Sequence, residues 1–140
     1  APVYISWSAQ NRSALVRVPI SREEGTRVEL RSPDPSCNPY LALAVMIKAG
    51  LDGIKNKIEP PPSLDKNIYE MTLEERAAHG VRELPGDLER AIAALERDPV
   101  ILEALGEHIA SRFIEAKRIE WEVFRSQVHP WELDQYLGVF

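Results

Sequence analysis

The first third of the chain alternates apolar and polar residues with the two-residue period of a β-strand. Val3–Trp7 is a short aromatic and β-branched run, and Ala14–Val18 alternates between two faces. The polar stretch 19–25 can join Ala14–Val18 to a further alternating run, Thr26–Arg31, as a hairpin with a long loop. The prolines that follow cannot continue a ladder. We therefore predict antiparallel strands within residues 1–31.

After this region the hydrophobic spacing becomes helical. Asn38 suits a helix N-cap, Pro39 suits the first helical position, and Gly50 suits the end of the helix. The sequence between them is apolar on nearly all sides, which is typical of a helix buried within a larger protein. Further predicted helices are Leu73–His79 behind a Thr72–Glu75 capping box, Asp87–Arg97, and Val100 to about Gln127. The pattern indicates an α+β fold, mainly helical over 38–127, with a short amphipathic tail at 128–140.

Bulk composition narrows the possible classes of function. The chain has 140 residues, enough for one modest domain, and its net charge of −5 argues against nucleic acid or an anionic membrane as a partner. No apolar run is long enough to span a bilayer. The single cysteine, Cys37, excludes an internal disulfide and fits a reducing compartment such as the cytoplasm. Because the chain opens on a strand-like run without Met, we expect a fragment of a longer polypeptide.

Charged residues stand out within the strand region. If Thr26–Arg31 is extended, Arg27, Glu29 and Arg31 share one face, and pairing with the preceding strand can add Arg17 to it. Such alternation is also typical of the solvated face of a sheet. Clustered guanidinium groups repel, however, since two unit charges 4 Å apart interact by about 4 kcal/mol at an effective dielectric near 20. The cluster would favour bound phosphate or carboxylate, and Glu29 could pair with arginines or hold a divalent metal.

Longer motifs resemble a known family. The stretches are WSAQNRSALVRVP, TRVELRSPDPSCNPYLALAVMIKAGLDGIKNKIEPP and DKNIYEM, and together they resemble the C-terminal part of the catalytic domain of type I glutamine synthetase. The resemblance implies an ATP-dependent glutamate–ammonia ligase. In this reaction ATP phosphorylates the glutamate side chain and ammonia displaces the phosphate. The resemblance also implies Mg²⁺ or Mn²⁺ as cofactor and a cytoplasmic homo-oligomer, a double-ring dodecamer.

The same resemblance assigns roles to five residues. Arg12 matches the catalytic arginine that reaches the transferred phosphoryl group, ATP and the substrate glutamate. Arg17 and Arg27 match arginines that bind ATP. Glu29 matches a ligand of the catalytic metal, and Arg31 matches an arginine that holds glutamate or its γ-phosphate. Phosphoryl transfer needs fixed cations around the phosphate oxygens, a role that suits arginine.

Two further features follow from the resemblance. Tyr69 aligns with a tyrosine that is adenylylated in some members, although the surrounding sequence looks like the variant that is not modified. We therefore favour an ordinary loop tyrosine. The tail 128–140 matches a segment that clasps a subunit of the opposite ring; folding onto its own domain is the alternative.

The resemblance also implies what this chain lacks. The family's remaining metal ligands, adenine contacts, ammonium site and glutamate flap would lie upstream, so we expect the 140 residues alone to be inactive. Two alternatives remain open. The chain could be a non-catalytic assembly or regulatory module related to the synthetase, or an ATP-binding enzyme of the guanidino-kinase kind, which would share an arginine-rich phosphate site.

Overall fold

The computed structural model describes residues 2–139. Ala1 and Phe140, at the outer ends of the predicted strand region and tail, lie outside the described residues. The chain divides into two compact units, of which one ends at Gly86 and the other begins at Asp87. Strands occur in the first unit, and the described part of the second is helical. The predicted α+β class is confirmed.

The strands of the first unit are short and form two small sheets. They are β1 (Tyr4–Ile5), β2 (Trp7–Ser8), β3 (Val16–Arg17), β4 (Glu29–Leu30) and β5 (Arg82–Glu83). One sheet pairs β1 with β5 antiparallel; in the other, β3 lies between β2, which is parallel to it, and β4, which is antiparallel. The predicted hairpin is therefore confirmed, although its strands have only two residues each.

The prediction of a single strand at Val3–Trp7 is wrong. Ser6 interrupts it, and the two halves pair with different partners, β5 and β3. The parallel pairing of β2 with β3 and the whole of β5 were not predicted. The reason for missing β5 is that Arg82 and Glu83 are both exposed and charged, so that they carry no apolar alternation.

Helix α1 (Pro39–Lys55) follows the strand region. The side chain of Asn38 caps it by accepting hydrogen bonds from the backbone N–H groups of Tyr40, at 3.0 Å, and Leu41, at 3.4 Å. The predicted end at Gly50 is wrong, because the helix continues for five more residues to Lys55. A helical glycine costs about 1 kcal/mol relative to alanine, which does not by itself end a helix. No residue of α1 is buried in this chain.

Three further helices agree with the predictions to within a few residues, namely α2 (Leu73–Ala78), α3 (Leu88–Leu95) and α4 (Pro99–Arg125). Helix α5 (Pro130–Tyr136) lies in the predicted tail, for which no helix bounds were predicted. The capping box of Thr72 and Glu75 is confirmed at the start of α2. Helix α4 is kinked at Gly106, whose φ of 73° and ψ of 156° are not helical. Among residues 2–139, no helix combines the length and apolar character needed to cross a bilayer.

The core of the first unit is formed mainly by side chains of segment 64–71, which contains no α-helix or strand. Leu64, Ile68 and Met71 are buried together, and Tyr4 and Val81 pack against them. Ile68 begins a single 3₁₀ turn that ends at Glu70. These buried side chains anchor residues 64–71 in the core. The same segment forms hydrogen bonds with Asn11 and Ser13, on either side of Arg12.

Candidate functional site

The register of the β3–β4 hairpin places Arg17 directly opposite Glu29. Arg17 Nη1 donates to Glu29 Oε2 at 3.1 Å. On the other side of the carboxylate, Arg27 donates to Oε1 through both Nε and Nη2, each at 2.8 Å. The hairpin therefore holds one carboxylate between two guanidinium groups, as the alternation in the sequence predicted.

The electrostatics of this trio favour an ionised Glu29. Desolvation raises the pKa of the Glu29 carboxyl, but the hydrogen bond from Arg27 and the positive charges of Arg17 and Arg27 lower it more, so the net pKa lies below its ordinary value. Two guanidinium groups and one carboxylate leave one unit of positive charge. This surplus attracts an anion.

Arg17 is not fully satisfied by its partners in the chain. Its Nε is buried and forms no hydrogen bond in the part of the chain that the structure describes. A buried donor without an acceptor typically costs about 1–3 kcal/mol. Such a group in a folded protein calls for an explanation other than stability.

Arg31 comes directly after β4, and its guanidinium contacts a different partner. Its Nη1 donates to the backbone carbonyl of Arg12 and, at 3.4 Å, to that of Ala14. Arg31 therefore links β4 to the turn that carries Arg12 and does not share the carboxylate of Glu29. The Arg12 side chain is exposed and forms no hydrogen bond or ion pair among residues 2–139.

A polar network fastens the Arg12 turn to the core segment. Asn11 Oδ1 accepts from the N–H of Ser13 at 2.8 Å and from its hydroxyl at 2.6 Å. Asn11 Nδ2 donates to the carbonyls of Leu64, at 3.0 Å, and Lys66. Ser13 Oγ in turn accepts from the N–H of Ile68 at 3.1 Å. Asn11 and Ser13 belong to the stretch WSAQNRSALVRVP, whose sequence indicates no partner for either side chain.

Glu29 fits a divalent metal only as one ligand of a larger set. Mg²⁺ takes six oxygen ligands, and the described residues contain no group of three or more His, Cys, Asp or Glu that could hold a metal ion. Each carboxylate oxygen carries two lone pairs, so pairing with arginine leaves capacity for a cation. A metal at Glu29 would therefore need oxygens from outside this hairpin.

Tyr69 lies in the 3₁₀ turn next to the core. Its side chain is exposed, and its ring meets that of Tyr4 edge-on with the centroids 5.5 Å apart. The guanidinium of Arg76 covers the Tyr4 ring at 4.7 Å from the centroid. The hairpin arginines make none of these contacts.

Comparison with known proteins agrees with the motifs. The family model described as glutamine synthetase, catalytic domain, matches residues 1–136. The glutamine synthetase of Thermus thermophilus is 59% identical over 140 residues, all of this chain and 31% of that protein. The glutamine synthetase of Thermotoga maritima is 56% identical over 137 residues, which are 98% of this chain and 31% of that protein.

A solved structure also shares the fold. The structure described as apo GmaS without ligand superimposes with a TM-score of 0.78 at 36% identity, covering 97% of this chain and 30% of that one. The chain thus spans about a third of the length of the proteins it matches. Because the family model covers nearly all of its residues, the chain belongs to the glutamine synthetase family and corresponds to part of the catalytic domain.

Proposed function

We propose that this chain, residues 1–140, is the C-terminal part of a glutamine synthetase catalytic domain within a longer polypeptide. That polypeptide would ligate ammonia to glutamate through a γ-glutamyl phosphate formed from ATP. The observation that carries the proposal is the Arg17–Glu29–Arg27 trio on the β3–β4 hairpin, with its surplus positive charge. Support also comes from the relatives at 54–59% identity, which are glutamine synthetases.

The chemistry of phosphoryl transfer matches what the hairpin offers. The reaction requires positioning of the phosphate and stabilisation of charge on its oxygens, with little covalent work by the protein. Arg17 and Arg27 would bind ATP phosphates, because guanidinium groups donate two parallel hydrogen bonds and stay charged at any relevant pH. Pairing with Glu29 orients both groups before a nucleotide binds, and this reduces the entropy lost on binding.

The remaining two arginines would act closer to the reacting atoms. Arg12 is exposed at a turn and would be the catalytic residue, touching the transferred phosphoryl group, ATP and glutamate. Arg31 would hold glutamate or its γ-phosphate. Its Nη1 contacts the Arg12 carbonyl, and the guanidinium has further donors for a carboxylate.

Glu29 would also bind Mg²⁺ or Mn²⁺. Its lowered pKa keeps the carboxylate ionised at neutral pH, the form that binds a cation. When bound, a divalent ion supplies positive charge at the phosphate oxygens. Glu29 would contribute one ligand, with the others drawn from the part of the polypeptide outside this chain.

Assembly and location are further parts of the proposal. We assign the polypeptide to a cytoplasmic homo-oligomer, a dodecamer, on the basis of the family resemblance and of a single cysteine, which cannot form an internal disulfide. The tail residues 128–140, which include α5, would contact another subunit. Tyr69 is exposed, as a modifiable tyrosine must be, but we propose an unmodified loop residue there.

The family match disfavours the alternative of a non-catalytic assembly or regulatory module. Arg17 carries an unsatisfied buried donor, which lowers stability. A module that binds no phosphate would gain nothing from keeping Arg17 beside Glu29 and Arg27 at this cost. A guanidino-kinase-like enzyme is likewise disfavoured by the match to glutamine synthetases over residues 1–136.

The test is glutamine formation by the full-length polypeptide with ATP, glutamate, ammonia and Mg²⁺. We expect activity that Glu29→Ala lowers by at least about 100-fold. The matched control is Glu59→Ala, which removes an exposed carboxylate after α1 and should leave activity unchanged. The 140-residue chain alone should form no glutamine. Absence of activity in the full-length polypeptide, or equal activity of the two variants, would refute the proposal.

A further inference from the structure

We infer that Asn11 and Ser13 are positioning residues for Arg12, and that they act by fastening its turn to segment 64–68, which Leu64 and Ile68 anchor in the core. This inference rests on the proposed function, in which Arg12 touches the transferred phosphoryl group. It goes further by naming side chains that contact no substrate and yet set the rate of the reaction. The positioning is visible in the hydrogen bonds on both sides of Arg12.

The turn is attached to segment 64–68 by side chains from three positions. Asn11 donates to two carbonyls of the segment, at Leu64 and Lys66, and Ser13 accepts from the N–H of Ile68. Ser8 adds a third attachment, since its hydroxyl donates to Asp65 Oδ1 at 2.5 Å. The residues of the segment that accept or donate these bonds therefore follow one another closely, and they are Leu64, Asp65, Lys66 and Ile68.

The same three side chains also shape the turn internally. Ser8 Oγ accepts from the N–H groups of Gln10, at 3.2 Å, and Asn11, at 3.0 Å. Asn11 Oδ1 accepts from the N–H and hydroxyl of Ser13. These bonds satisfy backbone groups that neither a helix nor a strand would satisfy here.

The anchor at the other end of the network is rigid. Ile68 is fully buried and Leu64 is 6% exposed, and both belong to the core of the first unit. Ser13 is itself only 6% exposed, so its bond to Ile68 is shielded from water. A polar network attached to buried core residues favours one geometry of the turn over others.

Arg12 is held from the opposite side as well. Its carbonyl accepts from Arg31 Nη1, while its neighbours Asn11 and Ser13 are tied to the core. The backbone of Arg12 is thus fixed on both sides, and its side chain alone extends into solvent. An error of 1 Å in the placement of a catalytic group can change a rate by about 100-fold, so loosening this turn should lower kcat.

A second serine offers a matched control. Ser36 donates its hydroxyl and its N–H to Asp34 Oδ1, at 2.5 Å and 2.7 Å, in the same local arrangement as Ser13 and Asn11. Its hydroxyl makes no hydrogen bond to a distant segment within residues 2–139. Ser13→Ala and Ser36→Ala remove the same local bond, but only the first also removes an attachment to the core.

The experiment measures kcat and the KM values for ATP and glutamate in the full-length polypeptide. We expect Ser13→Ala and Asn11→Ala each to lower kcat by about 10–100-fold, while both KM values change by less than about 2-fold. Ser36→Ala should behave as the wild type. In an Arg12→Ala background, Ser13→Ala should lower kcat no further, because its effect passes through Arg12.

The outcomes separate this inference from the proposed function. An inactive wild-type polypeptide would overturn the proposed function and the inference with it. An active wild type in which Ser13→Ala matches Ser36→Ala, or in which Ser13→Ala lowers kcat as much with Arg12→Ala as without it, would overturn the inference alone. If circular dichroism shows that Asn11→Ala does not fold, the kcat of Ser13→Ala, measured with and without Arg12→Ala, decides whether the inference holds.

Discussion

At the scale of single residues, Arg17 illustrates a conflict between stability and function. Its guanidinium pairs with Glu29, yet its Nε is buried without an acceptor. Replacing Arg17 with an apolar side chain of similar length removes an ion pair, which lowers the free energy of unfolding. It also removes an unsatisfied buried donor, which raises the free energy of unfolding, so the two effects oppose each other. On this balance we expect Arg17 to contribute little net stability and to be present for an anion that it binds.

We therefore predict that Arg17→Met changes the melting temperature by no more than about 3 °C while it abolishes tight ATP binding. Calorimetry of the full-length polypeptide, with and without ATP, measures both. Arg22→Met is the control, because Arg22 Nη1 contacts only carbonyls of its own loop and its loss should leave ATP binding intact. A large loss of stability with normal ATP binding would show that Arg17 is structural.

Asp34 gives a prediction that depends on pH. The side-chain and backbone hydrogen bonds from Ser36 lower the pKa of the Asp34 carboxyl below its ordinary value. A lowered native pKa stabilises the fold above the unfolded pKa, and that contribution is lost as the pH falls through the native pKa. Ser36→Ala should raise the Asp34 pKa towards its ordinary value, as followed by the carboxyl chemical shift in an NMR titration. An unchanged titration would contradict this account.

How far the sequence predicts the site depends on the kind of contact. The two-residue period of a strand and the loop that joins two such runs predict that Arg17 can share a face with Glu29, but the register that places the two directly opposite each other comes from the structure. The bonds of Asn11 and Ser13 to residues 64–68 could not be predicted, because a side chain bonded to a backbone more than 50 residues away leaves no periodic signal. The bond from Arg31 to the Arg12 carbonyl, 19 residues away, was also missed, because a bond from a side chain to a backbone carbonyl leaves no periodic signal.

At the scale of secondary-structure elements, local signals identified where helices begin better than where they end. The caps at Asn38 and Thr72 were predicted because a side-chain acceptor at the N-cap is a specific requirement. Gly50 was misread as an end because glycine only weakens a helix, whereas Gly106 breaks helical geometry with a positive φ. The presence of a glycine in the sequence therefore does not show whether a helix continues through it or is interrupted at it.

Helix α1 presents an uncovered apolar stripe. The exposed residues along it recur at spacings of three and four and are Leu43, Ile47, Leu51 and Ile54. Sequence alone predicted a helix buried within a larger protein, whereas in the described part of the chain every residue of α1 is at least partly exposed. An exposed apolar stripe of this kind favours association with other apolar surfaces.

We predict that the isolated 140-residue chain self-associates with increasing concentration and that Ile47→Glu shifts it towards monomer. The charged side chain cannot be buried in an apolar contact without a large desolvation penalty. Ala49→Glu adds the same charge to the same helix without removing a large apolar group, and it should have a smaller effect. Sedimentation velocity measures the distribution; a wild-type chain that stays monomeric at high concentration would contradict the prediction.

At the scale of the whole molecule, the chain spans about a third of the length of its relatives, and the site we propose for it is correspondingly partial. It supplies four arginines and one carboxylate but, among the described residues, no cluster able to hold a metal. Under the proposed function, the rest of the polypeptide and the substrates would bring the charges and ligands that oppose this hairpin. The α+β fold positions the hairpin, and the proposed chemistry would require the longer polypeptide.

The central claim is that one hairpin faces both substrates, and the KM values of arginine variants in the full-length polypeptide test it most directly. We predict that Arg17→Ala raises the KM for ATP by about 10–100-fold, through loss of a charged hydrogen bond, and that Arg31→Ala raises the KM for glutamate by a similar factor. Arg22→Ala, in the loop of the same hairpin, should change neither. KM values for both substrates that stay at the wild-type level in Arg17→Ala and Arg31→Ala would contradict the claim.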